Sequence, residues 1–271
     1  MFSEYKATTD LLISQFGAKR LVDDLAADDF ESLRERMSER WGLTRLANEI
    51  QKCRTVFKHG LDNGLIEKPV RFGSEFRRPG KKAMRKHRAE SGKKLLTAEE
   101  IRKLLDVADD PHLKCMLLLG INCAYGNMDC ACLKISAIDL DRVWIDYPRP
   151  KTGVERSAKM WPETVAALQQ FLKERPEPRR EADRELVFIK PNGRSWITGG
   201  VANAISIATA TLMKQVGCHR KGISFYVLRH TFRTVADSTK DFPAIRMVMG
   251  HSDSSIDDVY RERIDDSRLV P

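Results

Sequence analysis

Leu228-Arg229-His230-Thr231-Phe232-Arg233-Thr234, then Met249-Gly250-His251-Ser252, then Tyr260 nine residues after that histidine, form the stretch from which the rest of the chain is read. His230 and Arg233 stand three apart in a helical pattern and share one face. Phe232, Val235 and Ala236 are expected to turn from that face toward a core. His251 directly follows Gly250, at an expected helix–helix turn. Tyr260 falls on an expected helix over about 254–263, capped by Ser252, Asp253 or Ser254. Taken singly, a helical histidine or a tyrosine on an amphipathic helix is most often part of a core. The interest lies in the combination.

Working outward, Val143-Trp144-Ile145-Asp146-Tyr147 alternates as a strand. A turn at Lys151-Thr152-Gly153 and a second strand, Arg156 to Met160, complete a hairpin with Lys151 at its tip. Leu96-Thr97-Ala98-Glu99-Glu100 carries a capping box, Thr97 at the N-cap and Glu100 three residues on. Helices are expected over 98–109, 111–123 and 127–134, and from Pro162 through Leu172. An extended piece over 186–190 is followed by further helices over 200–216, 224–240 and 242–250. From Leu21 to Leu65 the pattern is helical. Asp28 or Asp29 is expected to cap a helix through Phe30, Leu33 and Met37. A second helix runs from about Thr44 to Leu61 and ends at Asn63-Gly64. The fold class is therefore mainly α, with one small antiparallel β-sheet. The expected organisation is a helical domain over 1–78, a basic linker over 79–95 and a mostly helical domain over 96–271.

The 271 residues carry a formal charge of +9, distributed unevenly. Between Arg77 and Lys94 there are nine Lys/Arg against one acid, Glu90, so this segment is +8 and the remainder only +1. A block of like charge repels itself and seeks a polyanion. Arg77, Arg78, Lys81, Lys82, Arg85, Lys86 and Arg88 are thus candidate phosphate contacts, and double-stranded DNA the expected partner. No apolar run approaches the ~20 residues of a membrane span, and no secretory signal opens the chain. A cytoplasmic, DNA-associated location is expected. The six cysteines form no CxxC pair and read as reduced, buried thiols; neither a metal nor a cofactor is expected.

A tyrosine, two histidines, an arginine and a hairpin lysine on a basic chain fit phosphodiester transesterification. In that reaction the Tyr260 hydroxyl attacks phosphorus and a deoxyribose 5′ oxygen departs. Charge accumulates on the non-bridging oxygens, where fixed cationic donors are needed. The fork of Arg233 suits two oxygens at once. His230 and His251 suit hydrogen bonding or movement of the tyrosine proton, and Lys151 protonation of the leaving oxygen. The phosphotyrosyl bond conserves the linkage energy.

These residues resemble the signature of the tyrosine recombinase, or phage integrase, family: an H-x-x-R box, a G-H pair and a Tyr nine residues beyond. Pro148-Arg149-Pro150-Lys151-Thr152-Gly153 is similar to the family's K-T-G turn, and the first 78 residues to its core-binding domain. The resemblance implies a clamp around duplex DNA, a 3′-phosphotyrosyl intermediate, strand exchange in integration or excision of mobile elements, and a tetrameric synapse. It also exposes a departure. Against the family's T-G-L-R-x-x-E-L segment, Cys123-Ala124-Tyr125-Gly126-Asn127-Met128-Asp129 places Gly126 where the first catalytic arginine belongs. Arg149 and Arg156 are the candidate substitutes; Arg149 is equally a candidate contact to a neighbouring DNA phosphate. The alternative is a DNA-binding protein of the same fold with impaired catalysis. The tail is a second departure, offering a neighbouring protomer only Leu269 and Val270 as apolar contacts.

Overall fold

The computed structural model describes residues 2–92, 94–199, 201–251 and 264–269. The chain divides into two compact units, Met1–Lys93 and Lys94–Pro271.

The first unit is helical: α1 (Phe2–Phe16), α2 (Ala27–Arg40), α3 (Leu43–Asp62) and α4 (Lys81–Glu90). Phe30 on α2 is fully buried, with the rings of Phe16, Phe57, Phe72 and Phe76 at centroid distances of 4.8–5.6 Å. Leu33 and Met37 follow Phe30 at helical spacing and face Leu46, Ile50 and Cys53 of α3. The cap of α2 differs from expectation. Ala26 holds the N-cap position, and the Asp29 carboxylate reaches back to accept from its amide at 2.9 Å. The α1 helix was not expected. It buries only Thr8 and Leu12, too sparse a pattern to stand out in the sequence.

Residues 79–95, expected as a linker, hold α4. Its half-buried Met84 and His87 stand three apart, with the His87 ring near Gly42, and its lysines and arginines are exposed. Self-repulsion is relieved because the charges project into water while the opposite face packs on the unit.

The second unit contains α5 (Ala98–Asp106), α6 (Pro111–Asn122), α7 (Asn127–Ala131), β1 (Ile138–Asp139), β2 (Trp144–Asp146), β3 (Ser157–Lys159), α8 (Pro162–Lys173), α9 (Asn203–Gln215), α10 (Val227–Ala236) and α11 (Phe242–Met249). The Thr97–Glu100 capping box forms in both directions, at 3.1 and 2.8 Å. The sheet is antiparallel in the order β1-β2-β3, with Ile145 opposite both Ile138 and Ala158. β1 extends the expected hairpin by two residues, too few to carry an alternating pattern. Residues 186–190 form isolated bridges instead of a strand.

The α6 helix is the core element, with Met116, Leu117 and Leu119 almost wholly buried. It packs on α8 and α10. At its crossing with α10, Gly120 admits Leu228; a Cβ at Gly120 would stand 2.8 Å from Leu228 Cδ1 and 3.3 Å from Phe225 Cζ. On α10 the buried residues are Val227, Leu228, Arg229 and Thr231. Val235, expected inside, is 65% exposed because the inward face of the helix lies about one residue round from that expectation. Phe232 and Ala236 are half-buried against the core. Leu269, expected as a handle for a neighbour, is buried in the core of its own unit. Five of the six cysteines are buried, Cys132 is half-buried and all six are free. Among the described residues no helix is long and apolar enough to cross a membrane.

Because the Gly120–Leu228 contact has no slack, Gly120→Ala should destabilise the second unit by about 1–3 kcal/mol. Urea unfolding of the wild type and variant measures it; equal midpoints would contradict the tight crossing.

Candidate active site

The buried charge of α10 organises the site. Arg229 is 1% exposed, although no carboxylate among the described residues pairs with it. Its Nη1 donates to Ala124 O at 2.6 Å. Its Nη2 donates to Met249 O at 2.6 Å and to His251 Nε2 at 2.7 Å. Both carbonyls are made available by unusual backbone. Ala124 has φ +55°, turning the chain sharply between α6 and α7. Met249 is the last residue of α11, which Gly250 terminates at φ +58°. The carbonyl end of a helix favours a cation. Burial followed by the charge of Arg149 lowers the proton affinity of Arg229.

His251 is fixed in role by this contact. Arg229 only donates, so Nε2 accepts and the proton of the neutral imidazole sits on Nδ1. Burial, then the charges of Arg229, Arg149 and Arg233, push its pKa down to about 4. It is therefore neutral near pH 7.

The expected residues divide between this centre and its edge. Arg233 lies one turn further along α10 and pairs with Asp237, its guanidinium 5.6 Å from the Phe242 ring centroid. The arginine that meets His251 is thus Arg229, not Arg233. The three-residue spacing of His230 and Arg233 was the visible signal, but Arg229 occupies the buried face. His230 is exposed, with its ring edge-on to Tyr226 at 5.2 Å. Lys151 is exposed on the turn between β2 and β3, where Gly153 N and Thr152 N donate to Arg149 O at 2.8 and 3.1 Å. Tyr260 lies outside the described residues.

That turn carries Arg149 to the site. A Cβ on Gly250 would meet Arg149 Cβ at 3.0 Å and Cδ at 3.4 Å, so the side chain lies along the glycine. No carboxylate among the described residues pairs with Arg149. Arg156 is engaged elsewhere. Its side chain is fully buried, with the guanidinium 3.9 Å from the Tyr125 ring centroid, Nε donating to Tyr147 O at 3.1 Å and Nη1 3.2 Å from Asp129 Oδ1. The other oxygen of Asp129 accepts from Gly126 N at 2.7 Å and caps α7. Beside Gly126 the Tyr226 ring fills the space: a Cβ there would stand 3.2 Å from both Cδ2 and Cε2.

The exposed cations of the first unit form a separate set. Lys81, Lys82, Arg85, Lys86 and Arg88 project from α4, and Arg77 and Arg78 precede it. Only Lys86 has an acidic neighbour among the described residues, Glu90 at 3.8 Å.

The profile of the Phage integrase family matches residues 94–266. Among solved structures the chain is similar to XerA recombinase, with 21% identity, 98% of this chain and 88% of that chain covered, and a TM-score of 0.52. It is similar to the Tn1549 transposon integrase in complex with transposon right end DNA, at 17% identity, 92% and 84% coverage and a TM-score of 0.69. A lambda integrase dimer bound to a COC′ core site aligns at 14% identity over 97% and 90% of the chains, with a TM-score of 0.68. No curated protein matches the sequence.

The His251 imidazole should titrate near 4, against about 6.5 for a free histidine. Between those values the unfolded chain binds the extra proton, so this residue lowers stability as pH falls from about 6.5 toward 4. Imidazole NMR resonances followed against pH measure it, and an ordinary midpoint would contradict the Arg229 contact.

Proposed function

Because the chain belongs to the phage integrase family, whose members break and rejoin DNA strands, we propose that it is a site-specific recombinase acting through a 3′-phosphotyrosyl intermediate on Tyr260. The observation that carries this reading is Arg229, a buried guanidinium held by two carbonyls and a neutral histidine. Burying a cation with no acid beside it costs several kcal/mol unless an anion completes the site. A DNA phosphate is such an anion.

In this reading Arg229 takes the oxygen-binding role expected of Arg233, and its preset donors stabilise the charge that develops on phosphorus oxygens. As Arg229 turns to phosphate, Nε2 of His251 is released as an acceptor for the Tyr260 proton. The O–P bond to Tyr260 forms as the bond to the 5′ oxygen breaks, and Lys151 supplies the proton that oxygen needs. His230, exposed beside Tyr226, contributes a further hydrogen bond at the DNA surface. Rejoining is the reverse attack by a 5′ hydroxyl of the exchanged strand.

The cations Arg77, Arg78, Lys81, Lys82, Arg85, Lys86 and Arg88 bind backbone phosphates without reading sequence. Exchange of two duplexes requires several protomers, and a tetrameric synapse fits that need. The protein acts on double-stranded DNA, in the compartment that holds it.

A pool of nicked duplexes with randomised cores tests the chemistry, since a nick just 3′ of the cleaved phosphate lets the short fragment bearing the new 5′ hydroxyl diffuse away and traps the adduct. A protein–DNA band should survive denaturation for the wild type and vanish for Tyr260→Phe. Binding to the pool with no adduct would instead favour a DNA-binding protein of this fold, the reading that Gly126 suggests. Replacing Lys82, Arg85 and Arg88 together by Ala should weaken binding across all sequences and reduce the slope of log affinity against log salt by about 3. An unchanged slope would remove α4 from the DNA interface.

A further inference from the structure

We infer that Arg149 is the second guanidinium of the phosphate clamp, supplying from the β2–β3 turn the charge that Gly126 does not offer from the start of α7. The inference rests on the recombinase reading and adds a residue to its chemistry.

A phosphoryl transition state carries charge on both non-bridging oxygens, and one arginine fork leaves part of it unmet. Four positions are near enough to contribute, and one of them, Arg233, is already paired with Asp237. Gly126 has no side chain, and the path along which one would grow is closed by the Tyr226 ring at 3.2 Å and by the Asp129 carboxylate at 3.2 Å. Arg156 is enclosed: it is fully buried, stacked on Tyr125, hydrogen-bonded to Tyr147 O and beside Asp129. Its charge serves to balance a buried acid. Arg149 alone is both partly exposed and without an acidic partner among the described residues.

Its location is set by a steric condition. The Arg149 side chain runs along Gly250 at distances that a β-carbon would bring to 3.0 and 3.4 Å, so Gly250 serves two ends. At φ +58° it terminates α11 and presents Met249 O to Arg229, and by lacking a side chain it lets Arg149 approach His251. The charge of Arg149 is felt by both Arg229 and His251, and it lowers the proton affinity of each. Two cations with no acid between them repel, and a bound phosphate converts that repulsion into attraction on both sides. A residue that only held a neighbouring DNA phosphate would not need to lie along Gly250, next in the chain to His251.

Orthovanadate, which adopts five-coordinate geometry, tests the clamp without any DNA. Its binding is read from the His251 imidazole resonances of the full chain. Arg149→Ala should weaken vanadate binding by about tenfold to a hundredfold, the loss expected for a charge-assisted hydrogen bond. Arg149→Lys should recover part of it, and Lys173→Ala, at an exposed cation of α8, should leave it unchanged. Equal affinity in Arg149→Ala and wild type would overturn the inference, and so would an equal loss in Lys173→Ala.

On a DNA site recovered from the adduct pool, Arg149→Ala should slow adduct formation by on the order of 10²–10³-fold. A neutral methylphosphonate at the cleaved position should narrow that gap, because one oxygen no longer carries charge. A gap of the same size on both substrates would mean a structural role and overturn the inference. If the wild type binds vanadate through Arg149 yet never forms an adduct on DNA, the clamp stands and the recombinase reading falls.

Discussion

A guanidinium enclosed by protein, with no carboxylate paired to it among the described residues, is the constraint on which the second unit is arranged. Arg229 is stable only because strong acceptors are aimed at it: Ala124 O, Met249 O and His251 Nε2, all within 2.7 Å. Charge-assisted hydrogen bonds of this length are about twice as strong as neutral ones. Each acceptor comes from a different element, so the arginine ties the α6–α7 turn, the end of α11 and the residue beyond it to α10. The close crossing of α6 and α10 at Gly120 brings those parts into range. An ordinary interior would meet the same cation with an acid. Here the nearby acid, Asp129, is engaged by Arg156 and the Gly126 amide.

The consequence is a site that is electrostatically incomplete when empty. Arg149 and Arg229 share one neutral histidine, whose proton affinity is lowered first by burial and then by the charges of Arg229, Arg149 and Arg233. Strain of this kind is tolerable when a ligand removes it, since binding to the folded state alone stabilises that state. Catalytic preorganisation follows from the same arrangement, because Arg229 is already held beside His251 and exchanges one hydrogen bond to meet charge as it develops. The first unit uses charge differently. The lysines and arginines of α4 are exposed to solvent, which suits the proposed contacts to phosphates of any DNA sequence.

Much of this was legible in the linear pattern. The Thr97–Glu100 box, the Pro111 and Pro162 helix starts and the β2–β3 hairpin rest on local rules, and local geometry obeys them. Where the pattern was thin it failed. The α1 helix buries two residues and β1 is two residues long, so neither leaves a period to detect. The α4 helix was hidden for another reason. Its charge density reads as a linker, and only the packing of Met84 and His87 explains why it folds.

The site divides along the same line. Sequence alone determined that the chain is basic and mainly helical, and it offered Lys151, His230, His251 and Tyr260 at spacings that resemble the family's, with Gly126 where that resemblance expects an arginine. Tertiary structure decided which guanidinium meets His251. Arg229 and Arg233 differ by four residues on one helix, and both are equally available to a motif. Their separation comes from burial: one faces carbonyls freed by positive φ at Ala124 and Gly250, and the other faces Asp237 and water. Proximity in the chain assigns residues to a helix face, but the cost of desolvating a charge is set by what the other elements place opposite it.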